Sequence, residues 1–187
     1  MEVSRATFRG MMVRGDGNVI RDNVVRDIWG NTLYTDSFAI GIEVTGLGAV
    51  VADNYVYEVR ARGEADIGEG VGIAYSSAGM GGSIIGNEVV NSSVEPNDLT
   101  DWDGLSRSTY AIWVGGESSV VVEDNVIQNY MYGITFSSTT GQSVVEDNVV
   151  LGAYAPIVDT TVAGQVLVDN VCDMDCYSVV SPFPERE

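Results

Sequence analysis

A hexad with the pattern apolar-x-Asp/Gly-Asn-x-apolar recurs along the sequence and constrains the fold more than any other feature. Its copies lie at 20–25, 51–56, 84–89, 122–127, 145–150 and 167–172. A second short apolar segment precedes each copy, at 10–13, 41–44, 72–75, 111–114, 133–136 and 156–159. The Asn follows the first residue of that segment by 13 to 15 positions. Self-similarity at such a regular spacing indicates a repeat architecture.

The residues of each repeat predict two short strands joined by a tight turn. Apolar and often β-branched residues alternate with polar ones, and no window has a sustained helical period. Asp-Asn and Gly-Asn pairs form turns and Asn tolerates the left-handed conformation, so we expect Asn at each bend. Stacked repeats would join their Asn amides into a hydrogen-bonded ladder, which gives these residues a structural role. The predicted ladder contains Asn23, Asn54, Asn87, Asn125, Asn148 and Asn170.

These repeats resemble those of the right-handed parallel β-helix proteins with the pectin lyase-like fold. The resemblance covers about residues 3–180 and implies an all-β solenoid of about six coils, with residues 1–187 as one domain. It implies little about function, because the same solenoid carries lyases, hydrolases, epimerases, phage tailspikes and non-catalytic surface proteins. Neither terminus has the pattern of a helical cap. The chain is therefore expected to be part of a longer β-helix or to meet another copy end to end.

Three insertions interrupt the repeat at the same phase. Successive ladder Asn residues are separated by 31, 33, 38, 23 and 22 positions, and the last two intervals match a minimal coil. The excess lies at 26–39, 57–71 and 90–110, after the Asn-containing strand in each case. Insertions at one phase project from one side of a solenoid, where function usually lies. In pectate lyase-like enzymes the substrate groove lies at the corresponding corner.

The insertions and the strand that follows them supply candidates for sugar binding. Aromatic faces, arginines and carboxylates are the groups that typically hold sugars. If Ile42 and Val44 point inward, then Gly41 and Glu43 point outward, and the same phase exposes Trp113. The candidate substrate-binding residues are Arg14, Trp29, Tyr34, Trp102 and Trp113. Two alternatives stay open: solvated loops pinned by weak ion pairs, and Trp113 as a core residue beneath the third insertion.

Two kinds of polysaccharide chemistry fit these residue types. A lyase needs a base and a cation or Arg that neutralises a uronate carboxylate, whereas a glycosidase needs paired carboxylates. The candidate catalytic residues are Glu43, Arg60, Arg62 and Arg107, and Ca²⁺ could be held by Glu64, Asp66, Asp101 and Asp103. An EF-hand is rejected, because Leu99 and Tyr110 stand where its first and last ligands would be. The familiar catalytic motifs of the superfold are absent, so a non-catalytic structural or adhesive segment is the competing interpretation.

The charged composition excludes several classes of function. The nine basic residues are all Arg, there is no Lys or His, and the formal net charge is −18. Triads that use His, zinc sites with His ligands and Schiff-base lysines cannot be built. Nucleic acid is not an expected partner, and no apolar run is long enough for a membrane span. Such acidity is also found in salt-adapted proteins.

The two cysteines complete the set of predictions. Cys172 replaces an inward apolar residue and Cys176 lies four positions on, so a disulfide is favoured over two free thiols. A disulfide suits an extracellular or cell-surface protein, although no export signal is visible. The sequence therefore predicts a secreted β-helix that binds or processes polysaccharide.

Overall fold

The computed structural model describes residues 1–30, 37–60, 68–77, 80–92, 108–116, 119–137, 141–160 and 164–178. These residues form 20 β-strands in three sheets, and every strand pair is parallel. Consecutive strands lie in different sheets, so each turn of the chain contributes one strand to each sheet. This is the arrangement of a parallel β-helix, as the repeat predicts. The described residues contain no helix long and apolar enough to span a membrane.

Sheet A contains the strands that come directly after the ladder Asn residues. Sheet B contains the strands that come after the insertions. Sheet A contains β1 (Glu2–Ser4), β4 (Val24–Trp29), β7 (Tyr55–Arg60), β10 (Glu88–Val90), β13 (Val126–Gln128), β16 (Val149–Leu151) and β19 (Val171–Cys172). Sheet B contains β2 (Arg9–Arg14), β5 (Ser37–Thr45), β8 (Gly68–Ser77), β11 (Ser108–Gly116), β14 (Tyr132–Ser137), β17 (Ala155–Asp159) and β20 (Tyr177–Ser178). Sheet C contains β3 (Val19–Arg21), β6 (Val50–Ala52), β9 (Met80–Ile85), β12 (Ser119–Glu123), β15 (Val144–Glu146) and β18 (Val166–Val168). Coil 1 is β2–β4 and coil 6 is β17–β19.

The core consists of files of like residues that stack from coil to coil. Parallel strands in register place equivalent side chains one strand spacing apart, about 4.8 Å. The file from sheet B is Ile42, Ile73, Ile112, Ile134 and Ile157, all fully buried. The file from sheet A is Val25, Val56, Val89, Ile127 and Val150, and that from sheet C is Val51, Ile84, Val122 and Val145. Burial of these branched side chains is the main favourable contribution to folding.

The Asn ladder is present and continuous. The Nδ2 of Asn23 donates to Oδ1 of Asn54 at 2.9 Å, and each later Asn through Asn148 repeats the bond to the next coil. The main-chain N–H of each of these residues donates to the same oxygen at 2.9–3.1 Å. The predicted structural role of the Asn residues is therefore confirmed.

The bend itself is made by the residue before each Asn, which differs from the sequence expectation. Positive φ angles occur at Asp22, Asp53, Asp124, Asp147 and Asp169, and the equivalent residue of the third coil is Gly86. The Asn residues of the ladder do not have positive φ angles. A short polar side chain or Gly accepts this conformation, so the Asp supplies the turn and the Asn supplies the bonds between coils.

The strands extend further into the insertions than the spacing predicts. Strand β4 continues to Trp29 and β5 begins at Ser37, so the first connection is 30–36. The second is 61–67 and the third is 91–107, compared with 129–131 and 152–154 in the later coils. The insertions predicted from the sequence were wider than these connections. The spacing between Asn residues shows that a coil has extra residues, but it does not show where the strands end.

A disulfide joins Cys172 and Cys176, with an S–S distance of 2.07 Å. It lies in the last coil, where Cys172 packs partly buried against the core. The preference for a disulfide over free thiols is confirmed.

Candidate functional site

The outer face of sheet B carries the side chains that point away from the core beside the insertions. Glu43, Ala74 and Trp113 form one outward file, since β5, β8 and β11 pair them in register. The neighbours of Glu43 in β5, Ile42 and Val44, are fully buried, which agrees with the predicted phase.

Gly41 was predicted to point outward, and this is wrong. A Cβ on Gly41 would lie 2.8 Å from Cγ1 of Val56, a core side chain. The strict alternation breaks here, because Gly41 and Ile42 both face the core. The residues before Gly41 therefore have the opposite phase, and Ile40 joins the outer face.

A groove of about 310 Å³ runs across this face in the second to fourth coils. Its lining consists of Phe38, Ile40, Glu43, Glu69, Val71, Ala74, Ser76 and Trp113. Most of these lining residues are apolar, and the polar groups among them are carboxylates and a hydroxyl. An apolar concavity with a few polar groups is the usual form of a small-ligand or sugar site.

Trp113 is the wall of this groove and lies over its own strand. A Cβ on Gly115 would collide with the Trp113 ring, so Gly115 leaves the space that the ring occupies. The indole is partly buried. This position gives a fixed aromatic face, which is the surface on which sugar rings stack.

Glu43 is held by an ion pair with Arg9 in the neighbouring strand. The Glu43 side chain is 17% exposed and that of Arg9 is 28% exposed. The Arg9 guanidinium also lies 4.1 Å from the centre of the Phe8 ring, a cation–π contact. Arg9 therefore fixes the Glu43 carboxylate at the edge of the groove.

A buried apolar cluster borders the groove in the fourth to sixth coils. It contains Met131, Tyr132, Ala155 and Val158, with Tyr110 packed against it. The rings of Tyr110 and Tyr132 are stacked with centroids 4.9 Å apart. Burial raises the pKa of Tyr132 to about 12, and nearby Tyr154 adds to the rise, so its phenol stays neutral. Tyr110 of this cluster pairs in register with Val71, which lines the groove.

Arg60, a predicted catalytic residue, lies outside the groove. It ends β7 in sheet A, is 8% exposed, and its Nε lies 2.7 Å from Oε2 of Glu58. Its guanidinium also donates to Oγ of Ser92 at 3.3 Å. Beneath this pair, burial raises the pKa of Tyr130, whose hydroxyl has no hydrogen-bond partner among the described residues. Arg60 therefore holds a corner of the solenoid together.

Two predicted binding residues also lie away from the groove. Trp29 is 39% exposed and lines a separate cavity of about 280 Å³ with Arg5, Ala6, Thr7 and Asp27. Arg14 is exposed at the end of β2, in register with Thr45 of β5. Of the predicted site residues that are described, only Glu43 and Trp113 lie together.

The remaining predicted site residues lie outside the described part of the chain. They are Tyr34, Arg62, Glu64, Asp66, Asp101, Trp102, Asp103 and Arg107. The proposed Ca²⁺ ligands are all in this group. Within the described ranges, no group of three or more His, Cys, Asp or Glu residues is placed to hold a metal ion.

Two groove residues, Phe38 and Glu69, were not among the predicted site residues. Both fall inside the predicted insertions, and the structure places them at the starts of β5 and β8, where they pair in register. The alternation before Gly41 places Phe38 and Ile40 on the same face of the strand and could have identified Phe38. Because the phase changes at Gly41, counting back from Ile42 and Val44 would instead place these two residues inward.

Comparison with known proteins supports the same fold. No curated protein and no solved structure matches the chain. The family model of the right-handed β-helix region matches residues 2–171, nearly the whole described chain. The chain therefore belongs to the right-handed β-helix family.

Proposed function

We propose that the groove on sheet B binds a polysaccharide of neutral sugars. The observation that carries this proposal is the pairing of a fixed aromatic wall, Trp113, with the carboxylates Glu43 and Glu69 over an apolar floor. Sugars present apolar ring faces and rings of hydroxyl groups. An aromatic face takes the former, and carboxylates accept hydrogen bonds from the latter.

The charge of the groove favours neutral sugars over uronates. The described residues that line it include two carboxylates and no basic side chain. Arg9, which lies in the neighbouring strand β2, is paired with Glu43. A uronate carboxylate would therefore meet like charges, whereas neutral hydroxyl groups would meet acceptors.

Binding is tested by titrating the protein with neutral glucan and mannan oligosaccharides and with oligogalacturonate, using calorimetry and tryptophan fluorescence. We expect neutral oligosaccharides to bind, and Trp113→Ala to weaken that binding at least tenfold, since a lost stacking surface costs roughly 1.5 kcal/mol. Trp29→Ala is the matched control, because Trp29 lines the other cavity. Absence of binding across the panel would refute the proposal and favour a structural or adhesive segment.

Glycoside hydrolysis is a second candidate function, and the presence of two carboxylates in one groove favours it. One carboxyl group would donate a proton to the glycosidic oxygen and the other would act as base or nucleophile. The test is release of reducing ends from the oligosaccharide that binds. We expect Glu43→Gln and Glu69→Gln each to abolish release while binding persists. Binding without release from the native protein would leave it a binding module.

Three earlier predictions remain proposals beside this one. A lyase reaction would depend on Arg62 and Arg107, and Ca²⁺ binding on the four carboxylates of the second and third insertions. Location outside the cytoplasm is supported by the Cys172–Cys176 disulfide, since disulfides persist in oxidising surroundings. Calcium titration in the presence of oligogalacturonate, followed by absorbance of unsaturated products, tests the first two together.

A further inference from the structure

The groove on sheet B is longer along its strands than across them. Its lining residues in β8 run from Glu69 to Ser76, seven positions apart, which at about 3.3 Å per residue spans roughly 23 Å. Across the strands the lining extends from β5 through β8 to β11, which is two strand spacings, or about 10 Å. A linear ligand that fills the groove therefore lies along β5 and β8.

One end of the groove has an aromatic ring beside a carboxylate. Phe38 and Glu69 pair in register at this end, near the starts of β5 and β8. Ala39, the next residue in β5, is fully buried, which places Phe38 on the outer face. Phe38 is 39% exposed, so its ring is accessible to a ligand.

The other end of the groove has an aromatic ring near a hydroxyl group. The Trp113 ring lies over Gly115, and Gly115 pairs in register with Ser76. The indole therefore extends along its strand toward the end of the groove that Ser76 lines. Phe38 and Trp113 thus lie at opposite ends of the same groove, and each has a polar lining residue in the adjacent strand.

The middle of the groove separates these two aromatic rings. Its lining consists of two register pairs, Ile40 with Val71 and Glu43 with Ala74. Three of these four side chains are aliphatic, and the fourth is the carboxylate that Arg9 holds. The described lining residues between the two ends therefore include no further aromatic ring. A ligand that contacts both rings has to extend over this middle section.

We propose that the groove binds a linear oligosaccharide that lies along β5 and β8, with one sugar ring on Phe38 and another on Trp113. This alignment rests on the proposed sugar binding and adds a length requirement to it. A monosaccharide is far shorter than the groove, so it contacts one aromatic ring at a time. A chain that reaches both rings gains the second contact without a further loss of translational freedom. The groove therefore selects a stretch of several consecutive sugars.

The test is calorimetry of the full chain with β-1,4-linked glucan and mannan oligosaccharides, from the monosaccharide to the octasaccharide. We expect the affinity to rise with length and to level off once the ligand spans the groove. Phe38→Ala should weaken binding of the octasaccharide about two- to tenfold, as expected for one lost aromatic contact. It should leave the shortest ligand that binds unaffected, because that ligand occupies the larger indole face. Trp113→Ala should weaken binding of both ligands.

Tyr55→Ala is the matched control, because Tyr55 is 36% exposed and lies in sheet A, away from the groove. It should change the affinity at no ligand length. Thermal melting shows whether each variant is folded, and the length series of the native protein decides alone if Phe38→Ala does not fold. Binding that depends on Trp113 but not on length or on Phe38 would overturn the alignment and leave the proposed sugar binding intact. Absence of binding across the series would overturn both.

Discussion

Two of the three corners in each coil of the solenoid follow opposite rules. The ladder corner joins sheet C to sheet A through the Asp-Asn or Gly-Asn pair. The loop corner joins sheet A to sheet B and has the connections 30–36, 61–67, 91–107, 129–131 and 152–154. The ladder corner keeps the same length and nearly the same sequence in all six coils. The loop corner varies in length and in sequence, and the groove lies beside it.

Left-handed residues occur at both corners, so the backbone alone does not explain the difference. At and just before the loop corner the positive φ angles occur at Arg5, Asp27, Glu58, Asn129 and Gly152, five different residue types. At the ladder corner the side chain after the bend bonds directly to the adjacent coils. That bond requires one residue at one position in every coil. Among its described residues the loop corner has no continuous side-chain bond of this kind, and its connections differ in length.

The largest effect should follow from a break in the ladder at Asn125. Its side chain donates to Ile84 and Glu123 carbonyls and to Asn148, and it accepts from Asn87. Asn125→Ala removes these bonds and leaves buried groups unpaired, so we expect a loss of roughly 3–5 kcal/mol in the free energy of unfolding. Urea denaturation followed by circular dichroism measures it.

The control for this change is Gln128→Ala, which removes a partly exposed amide from the same coil. It should alter stability by no more than about 0.5 kcal/mol. An Asn125→Ala protein with native stability and lost sugar binding would contradict the structural role of the ladder.

The same contrast explains how much of the molecule the sequence predicts. The coils, the ladder and the inward files follow from the hexad, because each is enforced by neighbours one coil away. The outward positions of Glu43 and Trp113 follow from alternation within one strand. The placement of Arg60 does not, since its ion pair with Glu58 depends on how β7 ends at the loop corner. Phe38 and Glu69 were not assigned to the site because the changes of phase at Gly41 and Gly72 leave no mark in residue spacing.

Arg60 tests whether the loop corner is held together by charge. Arg60→Gln leaves the partly buried Glu58 carboxylate near Tyr130 without its charged partner, so we expect a loss of about 2 kcal/mol in unfolding free energy. Oligosaccharide affinity should stay the same, because Arg60 does not line the groove. Denaturation and calorimetry on one preparation measure both quantities.

Arg21→Gln is the matched control, since both ion pairs of Arg21 are exposed. It should cost at most about 1 kcal/mol. Full stability with loss of catalytic activity in Arg60→Gln would return Arg60 to the catalytic role that the sequence suggested.

The smallest effect concerns the division of labour between Asp and Asn at the ladder corner. Asp124 has a φ of 55°, and the third coil has Gly86 at the same turn with a φ of 63°. Asp124→Gly should therefore be nearly neutral, whereas Asp124→Val should cost about 1–2 kcal/mol because a β-branched residue is strained at positive φ. Thermal melting of the two variants side by side gives the difference. Equal destabilisation by Gly and Val would mean that the Asp124 carboxylate, and not its backbone conformation, is what the turn requires. The Asp of the hexad would then be a bonding residue like the Asn that follows it.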